Sequence, residues 1–362
     1  MKKYNVGVIG ATGMVGQQFI ACLDNHPWFN VKVLAASARS AGASYAETME
    51  GRWELAAGMP AWAGGIIVKD ALSDVEKIAS EVDFVFCAVK MTEKETIELE
   101  ERYAKLECPV MSNNSALRME PDVPMIIPEI NPEHAAVIDT QRKRLGTSRG
   151  FVAVKSNCSI QSYVPALHPL MDSGLTDVLA CTYQAISGAS KTFKTWPEMV
   201  DNVIPYIGDE EEKSETEPLK VWGVIKNGII VHAVKPDITT QCIRVSASDG
   251  HMAAVFARFD KKLPLDEIKR RWRAYSGEPQ KMNLPSAPKQ FLHYFEEEDR
   301  PQTRLDRDLE GGMAISLGRL RPDSQYDVKF VGLSHNTLRG AAGGNVLMAE
   351  LLCHQGYILS GK

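Results

Sequence analysis

Short apolar runs and charged stretches alternate along the first third of the chain. Runs that predict buried strands are found at residues 4–9, 31–35, 65–68, 84–89 and 110–111. Residues 14–23 and 91–105 lie between such runs and have the length and composition of helices. Because strands that alternate with helices are typical of a parallel sheet covered on both faces, we predict a doubly wound α/β domain here.

The pattern changes after about Phe151. Strand-like runs then lie among longer polar segments, at residues 178–185, 228–234, 239–246, 252–259 and 326–333. This texture predicts a second domain with a mixed or antiparallel sheet. An apolar helix predicted at 340–353 has no neighbouring strand, and we expect it to pack back on the first domain. The predicted division is a Rossmann-type domain (1–150 plus 338–362) and an α+β domain (151–337).

The composition agrees with a globular protein of two domains. The chain has 362 residues, of which 44% are hydrophobic and 24% charged, so a sizeable core can form. A formal net charge of -5 gives no cationic field for nucleic acid or anionic lipid, and we predict neither as a partner. The uncharged stretch 4–23 is broken by glycines, and its apolar runs are too short to span a membrane.

The cysteines and histidines show no metal or disulfide spacing. Seven cysteines are spread singly along the chain, without a CxxC pair. An odd number of unpaired cysteines favours a reducing compartment, and we predict the cytoplasm. The histidines include no HxxxH pair, so we predict no metal site.

A glycine-rich segment, Gly10-Ala-Thr-Gly13-Met-Val-Gly16, follows the first predicted strand and precedes the first predicted helix. Glycine lets the backbone approach a pyrophosphate, and the N-terminus of the helix supplies N–H donors to it. The order of strand, loop and helix therefore predicts a dinucleotide site. The alternative is a tight turn between strand and helix that binds no ligand.

The end of the second predicted strand bears on the choice between NAD and NADP. An NAD site usually places Asp or Glu there, to bind the ribose 2′-hydroxyl. Here the strand continues into Ala36-Ser37-Ala38-Arg39-Ser40, which contains no acid. Arg39 between Ser37 and Ser40 suits a 2′-phosphate, so we predict NADP. The alternative is that Arg39 is a solvated loop cation.

Cys158 is the strongest candidate for a nucleophile. The segment Ser156-Asn-Cys-Ser159 follows the strand-like run 151–154 and precedes the helix-like run 160–171. A cysteine at such a junction lies at the positive end of the helix dipole, so we predict a lowered thiol pKa. The alternative is a small buried hydrophobe, which is the ordinary role of an isolated cysteine.

His251 is the matching candidate for proton transfer. It follows a predicted Ser-Asp-Gly turn at 248–250, and Arg244 precedes that turn. If the strands on either side of the turn pair, a guanidinium able to grip a carboxylate lies near an imidazole able to move protons. The alternative is a histidine with a structural role at a strand end.

These candidates lie in segments that resemble one enzyme family. The sequence is similar to the aspartate-semialdehyde dehydrogenases, in the branch found in archaea and fungi. The matching segments follow the family order across nearly the whole chain. They are GATGMVGQQF (10–19), SARSAG (37–42), SNNSALRMEPDVPMIIPEINPEH (112–134), SNCS (156–159), QAISGA (184–189), DNVIPYIGDEEEKSETEPLK (201–220), RVSASDGH (244–251) and SHNTLRGAAGGN (334–345).

The resemblance implies a cysteine-dependent oxidation in the aspartate pathway to lysine, threonine and methionine. A cysteine attacks the aldehyde carbon, a hydride passes to NADP, and inorganic phosphate cleaves the thioester to release L-aspartyl 4-phosphate. Sulfur suits this reaction because phosphate can displace it from the acyl group. On this chain the resemblance makes Cys158 the nucleophile and Gln184 the residue that orients the intermediate. His251 becomes the acid/base that takes the thiol proton and assists the hemithioacetal.

The resemblance also implies the substrate contacts. Arg244 would hold the substrate carboxylate, Glu210 its ammonium, and Asn157 would contact the substrate beside the nucleophile. Lys213 and Arg118 would hold the phosphate. Separate cations for carboxylate and phosphate are expected, because acyl phosphate formation brings several negative charges together. For Lys213, which lies within the acidic run 209–217, a solvated surface charge is the alternative.

The implied cofactor contacts fall into three groups. The phosphates of NADP would lie against Gly10, Thr12, Gly13, Met14 and Val15. The 2′-phosphate would lie against Ser37, Arg39 and Ser40. The remaining contacts would come from Ser187, Gly188, Asn336 and Gly344, of which the last two lie near the nicotinamide. The resemblance further implies a homodimer or homotetramer built through the second domain.

One segment departs from the family pattern. After residues 187–189 the family commonly continues with a Gly-Tyr-Pro-Gly type loop, whereas this chain has Ser190-Lys-Thr-Phe-Lys-Thr-Trp196. Two lysines and two aromatic rings beside the pocket could change which acyl group is accepted. Two other functions therefore stay open. They are a CoA-dependent acyl reductase, such as a malonyl-CoA reductase, and a non-catalytic NADP-binding sensor whose Cys158 is oxidised reversibly.

Overall fold

A computed structural model describes residues 3–361 and contains a parallel sheet and a mixed sheet. The elements of the first part of the chain are β1 (Tyr4–Ile9), α1 (Met14–Cys22), β2 (Phe29–Ala36), α2 (Tyr45–Met49), α3 (Ala61–Gly64), β3 (Lys69–Asp70), α4 (Val75–Glu81), β4 (Phe84–Cys87), α5 (Glu93–Lys105), β5 (Val110–Ser112), α6 (Ile138–Leu145) and β6 (Val152–Val154). These strands form one parallel sheet in the order β3-β2-β1-β4-β5-β6. The doubly wound α/β domain predicted from the alternating pattern is confirmed.

The side chains of the parallel sheet belong to two hydrophobic cores, one on each face. In β4, Phe84 and Phe86 belong to the hydrophobic core on one face, whereas Val85 and Cys87 belong to the core on the other. Phe84 and Phe86 also pack edge to face, with ring centroids 5.2 Å apart. Successive side chains of a strand point to opposite faces, so a continuous apolar run is what a sheet between two helical layers requires.

The helix at the end of the chain, α13 (Ala342–His354), packs on the first domain as predicted. Leu347 and Leu351 are fully buried in the same core as Phe84. Glu350 accepts a buried hydrogen bond from the ring of His26, at 2.8 Å from Oε1 to Nε2. A helix without a polar face must be buried on all sides. Helix α13 is buried in the core that it shares with α1 and one face of the parallel sheet.

Two predictions about the parallel sheet are wrong. Residues 65–68 do not form a strand; Ile67 makes one isolated bridge to Ser44, and the edge strand is β3. Ile67 follows closely on the end of α3 and is 56% exposed, so its hydrophobicity does not indicate a buried strand. Residues 152–154, which we assigned to the second domain, pair with β5 as the last strand of the first sheet. The predicted boundary at 150 is therefore too early for this strand.

The elements of the second part are α7 (Val164–Leu167), β7 (Leu175–Gln184), β8 (Val203–Ile204), α8 (Glu210–Val221), β9 (Val224–Lys226), β10 (Ile229–Val231), β11 (Asp237–Val245), β12 (His251–Phe259), α9 (Leu265–Ala274), α10 (Glu278–Lys281), β13 (Leu292–Tyr294), α11 (Thr303–Asp306), α12 (Leu309–Gly312), β14 (Ile315–Pro322) and β15 (Val328–Ser334). Seven of the strands form a mixed sheet in the order β13-β14-β15-β12-β7-β11-β8, which confirms the predicted sheet type. Strands β9 and β10 form a separate hairpin. Our sequence interpretation did not identify β14.

Strands β11 and β12 do not pair, although we considered that pairing from the turn between them. Strand β7 lies between the two, parallel to β11 and antiparallel to β12. Arg244 near the end of β11 is the register partner of Gln184 at the end of β7, and His251 begins β12. Three strand ends therefore meet at one edge of the sheet, which brings these three predicted site residues together.

The continuous helix predicted at 160–171 is also absent. The chain instead forms a 3₁₀ turn at Ser159–Ser162, the single turn of α7, and a second 3₁₀ turn at His168–Ser173. Pro165 and Pro169 lack the backbone N–H that an uninterrupted α-helix would need at these positions. The segment after Cys158 consequently has no long helix whose dipole could act on the thiol.

The helices within residues 3–361 are too short to cross a membrane. The longest of them, α5 and α13, have 13 residues each. A helix that spans a bilayer needs about 20 predominantly apolar residues.

Candidate active site

A cavity of about 630 Å³ opens beside Cys158. The predicted site residues that line it are Val15, Arg118, Asn157, Cys158, Ser187, Gly188, Glu210, Lys213 and Asn336. Residues from the dinucleotide loop, the nucleophile turn and helix α8 thus face one space. The enclosed volume is in the range of small-molecule sites.

Cys158 lies at the start of the 3₁₀ turn and is half-buried, with its side chain at the cavity. Burial raises the pKa of the thiol to about 11, and Glu210 adds to this rise. Lys155, Arg118 and Arg244 act in the opposite direction. Our prediction of a lowered thiol pKa is wrong, because the nearby carboxylate and the loss of water outweigh these cations and a four-residue turn has little dipole.

Asn157 connects the nucleophile to helix α8. Its side-chain Oδ1 accepts the backbone N–H of Ser159 at 2.7 Å, and its Nδ2 donates to Glu210 Oε1 at 2.9 Å. Glu210 also accepts Gln184 Nε2, at 3.0 Å from its other oxygen. The carboxylate of Glu210 is therefore fixed between the nucleophile turn and the end of β7, at the rim of the cavity.

His251 is fully buried and neutral. Burial lowers the pKa of its ring to about 3, and Arg244 contributes to this shift. Ring atom Nδ1 accepts the backbone N–H of Ala185 at 3.1 Å, so the proton of the neutral ring is on Nε2. Within residues 3–361 this Nε2 has no hydrogen-bond partner. The ring is thus a donor toward the site, and it does not suit the predicted role of accepting the thiol proton.

Gly188 is the part of the cavity wall that lies against His251 and Arg244, neither of which is itself among the lining residues. A Cβ at position 188 would lie 2.8 Å from Arg244 Nη1 and 3.0 Å from His251 Nε2. Arg244 is itself held by Ala185, whose carbonyl oxygen accepts its Nη1 at 2.7 Å. Only glycine lets the cavity wall come this close to both groups.

One face of helix α8 supports the whole site. Glu210, Ser214 and Glu217 are spaced by four and three residues, which places them on the same side of the helix. The hydroxyl of Ser214 is 3.0 Å from that of Ser159, and Glu217 accepts the backbone N–H of Asn157. Sequence analysis missed Ser214 and Glu217 because every residue from 209 to 217 is polar, and the pattern therefore does not show which side chains face the site.

Arg118 and Lys213 both reach the cavity, so the acidic run is more than a solvated surface. Arg118 is 8% exposed and donates from Nη1 to Glu217 Oε1 at 2.9 Å. The loop that carries Arg118 is fixed by the buried ammonium of Lys220, which donates to three of its carbonyl oxygens, among them that of Val123 at 2.9 Å. Lys220 was not among the predicted residues.

Lys155 is a second buried cation that sequence analysis missed. It follows β6 directly, is almost fully buried, and donates from Nζ to the carbonyl oxygen of Ser156 at 2.7 Å. Burial lowers the pKa of its ammonium to about 7. Its position three residues before the nucleophile carried no recognisable signal, since a lysine at the end of a strand is ordinarily exposed.

The glycine loop fits a dinucleotide. A Cβ at Gly10 would lie 2.4 Å from the carbonyl oxygen of Ala88, and one at Gly16 would lie 2.2 Å from that of Gly10. These two glycines permit the close packing of loop and helix, whereas a Cβ at Gly13, the N-cap residue, would make only an ordinary contact, 3.6 Å from the carbonyl oxygen of Gly10. The first-turn N–H groups of α1, including those of Met14 and Val15, have no intrahelical acceptor and are available to phosphate oxygens.

The remaining predicted cofactor residues differ in their surroundings. Asn336 donates from Nδ2 to Ser187 Oγ at 2.8 Å and accepts the N–H of Gly250, so it is fixed beside the cavity. Gly344 is not among the residues that line the cavity; a Cβ there would lie 2.3 Å from the carbonyl oxygen of Arg339, which indicates tight packing of α13. Thr12 lies in the loop before α1.

The unusual loop 190–196 borders the cavity only through Ser190. Lys191 and Lys194 are exposed, and neither they nor the two aromatic residues of the loop line the cavity. Within this structure of one chain, those four side chains are therefore not part of the cavity wall.

A smaller cavity of about 230 Å³ is lined by Ser37, Arg39, Ser40 and Arg52. Two guanidinium groups and two serines suit a phosphate monoester, which is the chemistry of the ribose 2′-phosphate. Arg52 lies after α2 and donates from Nη1 to the carbonyl oxygen of Thr48 at 3.1 Å. It was not predicted, because nothing in the sequence links it to Arg39 thirteen positions earlier.

Arg52→Ala should weaken binding of 2′,5′-ADP about tenfold while leaving 5′-AMP binding unchanged, since only the former carries a 2′-phosphate for the guanidinium to hold. Calorimetric titration of the two nucleotides checks this expectation. Lys143→Ala, which removes an exposed cation from α6, is the matched control. Equal weakening of both nucleotides would show that Arg52 acts on the fold of the site and not on the 2′-phosphate.

Comparison with known proteins agrees with this geometry. A model of the semialdehyde dehydrogenase NAD-binding domain matches residues 5–138, and a model of the semialdehyde dehydrogenase dimerisation domain matches residues 167–339. The chain is 41% identical over 362 residues to the aspartate-semialdehyde dehydrogenase of Methanothermobacter thermautotrophicus, with 96% of this chain and 98% of the relative covered. It is 38% identical over 366 residues to that of Aspergillus fumigatus, with 98% and 99% covered.

Solved structures give the same result. The crystal structure of the Candida albicans aspartate semialdehyde dehydrogenase with NADP matches with a TM-score of 0.88 and 35% identity, and covers 99% of this chain and 100% of that one. The Vibrio cholerae aspartate semialdehyde dehydrogenase II, at 22% identity and a TM-score of 0.73, shares the fold. The two domain matches, the identity over nearly the full length and the shared structure lead to one conclusion: this chain belongs to the aspartate-semialdehyde dehydrogenase family.

Proposed function

We propose that the chain interconverts L-aspartate 4-semialdehyde and L-aspartyl 4-phosphate, with NADP and inorganic phosphate, through a thioester on Cys158. The observation that carries this proposal is the content of one cavity. A cysteine thiol, the amide of Asn157, the carboxylate of Glu210, and the cations Arg118 and Lys213 all line it. This set provides a nucleophile together with groups of both charges for a zwitterionic substrate and an anionic co-substrate.

The chain's own residues divide the first half of the reaction among them. The Cys158 sulfur adds to the aldehyde carbon, and one proton passes from the thiol to the carbonyl oxygen, which gives a hemithioacetal. The unpaired Nε2–H of His251 is the donor available to that oxygen. NADP, when bound, would accept the hydride from this carbon, and release of the hydroxyl proton to water would complete the conversion of the hemithioacetal into a thioester. Arg244 holds the substrate carboxylate and Glu210 its ammonium.

In the second half of the reaction a phosphate oxygen attacks the acyl carbon. The carbon–sulfur bond breaks, the acyl phosphate leaves, and the sulfur departs as the thiolate of Cys158. Arg118 and Lys213 hold the phosphate during this step, and the cations that oppose the rise in the thiol pKa also stabilise the departing thiolate. The site therefore has cations where negative charge develops.

The first domain offers groups that match the phosphates of a dinucleotide. The first-turn N–H groups of α1, which follow the glycine loop and have no intrahelical acceptor, support contacts to the cofactor phosphates. The cavity with Arg39 and Arg52 supports NADP over NAD, because NAD has no group for these cations. The relative from Candida albicans was solved with NADP.

The match of residues 167–339 to a dimerisation-domain model supports oligomer formation by this chain. As the finer statement we propose a homodimer or homotetramer built through the second domain. Exposed apolar side chains on and near β7, β8 and β10 support this, namely Tyr183, Val203, Tyr206 and Val231. We also propose a cytoplasmic location, supported by seven cysteines that are all free thiols.

A steady-state assay tests the proposed reaction. Formation of NADPH from aspartate semialdehyde should require inorganic phosphate, and NADP should be strongly preferred to NAD. The physical reason is that a thioester on Cys158 blocks further turnover until phosphate removes it. Absorbance of the reduced nicotinamide, measured with and without phosphate, gives the result directly.

The same assay discriminates the other two functions. Activity with CoA and none with phosphate would overturn the proposal in favour of an acyl-CoA reductase. Cofactor binding without turnover under any condition would favour a redox sensor. The presence of Arg118 and Lys213 at the cavity, and the names of the relatives, speak against both.

A further inference from the structure

Glu217 joins two parts of the candidate site that come from distant positions in the chain. Its side chain is 2% exposed and lies on the inner face of α8. Oε1 accepts Arg118 Nη1 at 2.9 Å, and Oε2 accepts the backbone N–H of Asn157 at 2.5 Å. Asn157 directly precedes Cys158, so one buried carboxylate contacts both the phosphate-binding arginine and the turn that carries the nucleophile.

The contact with Glu217 leaves a definite edge of Arg118 for an anion. The buried Nε has no hydrogen-bond partner in the part of the chain that the structure describes. Nη2 makes only a long contact, 3.4 Å, to the carbonyl oxygen of Asn113. Nε and Nη2 form the side of a guanidinium that binds an oxyanion with two parallel hydrogen bonds. We call this side the open edge of Arg118.

We propose that Glu217 is a positioning residue whose carboxylate holds Arg118 and the nucleophile turn in one register, so that phosphate bound on the open edge of Arg118 faces the acyl group on Cys158. This inference rests on the proposed function. Glu217 lines the cavity, but both of its carboxylate oxygens accept hydrogen bonds from neighbours, Arg118 and Asn157, and it acts through these two residues.

The charge and shape of a carboxylate are both required for this role. Both partners of Glu217 are donors, and a carboxylate is an acceptor at both oxygens. Glutamine has nearly the same volume but would turn an NH₂ group toward either Arg118 or the N–H of Asn157. A donor facing a donor in a buried site is unfavourable, so one of the two contacts would open.

A comparison of two nucleophiles tests the proposal. Hydroxylamine is uncharged and cleaves the thioester to a hydroxamate, with return of the Cys158 thiol, without need of an arginine. We expect Glu217→Gln to raise the KM for phosphate and to lower the ratio of phosphate-supported to hydroxylamine-supported turnover by about tenfold or more, since misplaced groups lose rates of this size. Initial rates of NADPH formation with each nucleophile give the ratio.

The control variant is Glu215→Gln. Glu215 lies on the same helix and also accepts a backbone N–H, that of Thr240 at 2.8 Å, but it has no contact with Arg118. We expect its ratio to equal that of the unmodified enzyme, and thermal melting to show both variants folded. The double variant that combines Glu217→Gln with Arg118→Ala should show a phosphate KM no higher than that of Arg118→Ala alone, because Glu217 acts through Arg118.

Each outcome decides a separate question. An equal loss with both nucleophiles would assign Glu217 only to the stability of the nucleophile turn and would overturn the inference, as would an unchanged phosphate KM. Absence of phosphate-supported turnover in the unmodified enzyme would instead reject the proposed function.

Discussion

Cys158→Ala is expected to abolish phosphate-dependent NADPH formation, with a loss of at least about a thousandfold, because nothing else in the cavity can form a thioester with the substrate. Binding of NADP should stay nearly unchanged, since the cofactor loop and the cavity with Arg39 lie on other elements. Turnover and a fluorescence titration of NADP measure the two quantities on the same preparation.

Cys181→Ala is the control for this experiment. Cys181 is another partly exposed free thiol, but it lies in the middle of β7 and not at the cavity. Its replacement should leave turnover within about twofold, as for a substitution away from the site. Residual activity of Cys158→Ala above about one per cent of normal would reject the covalent mechanism, since a lost nucleophile is not replaced by water at such a rate.

The sequence predicts the parallel sheet and the dinucleotide loop well because both depend on local signals. A buried strand such as β4 is apolar at every position, and Gly10 and Gly16 of the loop are required by close contacts that substitution would break. The edge strand β3 was misplaced because it has only two residues, and β14 was missed among polar segments. Short or irregular elements are decided by tertiary contacts, which a pattern of hydrophobic positions does not contain.

The sequence indicated individual candidate residues of the site, but it did not indicate how the fold arranges them in space. The turn between Arg244 and His251 suggested that β11 and β12 pair, but β7 inserts between them and brings Gln184 into the same cluster. Glu217 was missed because its role comes from contacts with Arg118 and Asn157, which precede it in the chain by 99 and 60 residues. Contacts of this kind are set by the fold as a whole.

Thiol chemistry was the least predictable property. A cysteine between a strand and a helix would have a lowered pKa only if the helix were long and the surroundings wet. Prolines broke the helix, and burial together with Glu210 raised the pKa of Cys158 instead. The resting site therefore has a neutral thiol and a neutral imidazole.

His251 is expected to act as a hydrogen-bond donor, and its removal should be costly. His251→Asn keeps an acceptor for the N–H of Ala185 but loses the donor at Nε2, so we expect kcat to fall about a hundredfold or more, the scale of a proton-transfer residue. His251→Gln, whose longer side chain can present an NH₂ group near the position of Nε2, should recover part of this loss. Steady-state kinetics of the two variants, with thermal melting as a check on folding, give the comparison.

The pH profile provides an independent check on that role. Because burial and Arg244 lower the pKa of the ring to about 3, His251 is neutral above about pH 5, and the profile of kcat/KM should have no inflection near 6.5, the ordinary pKa of histidine. An acidic limb near 6.5 that disappears in His251→Asn would show that the ring takes up a proton during the reaction. A loss of kcat below about fivefold would remove His251 from the chemical step altogether, since proton-transfer residues contribute far more.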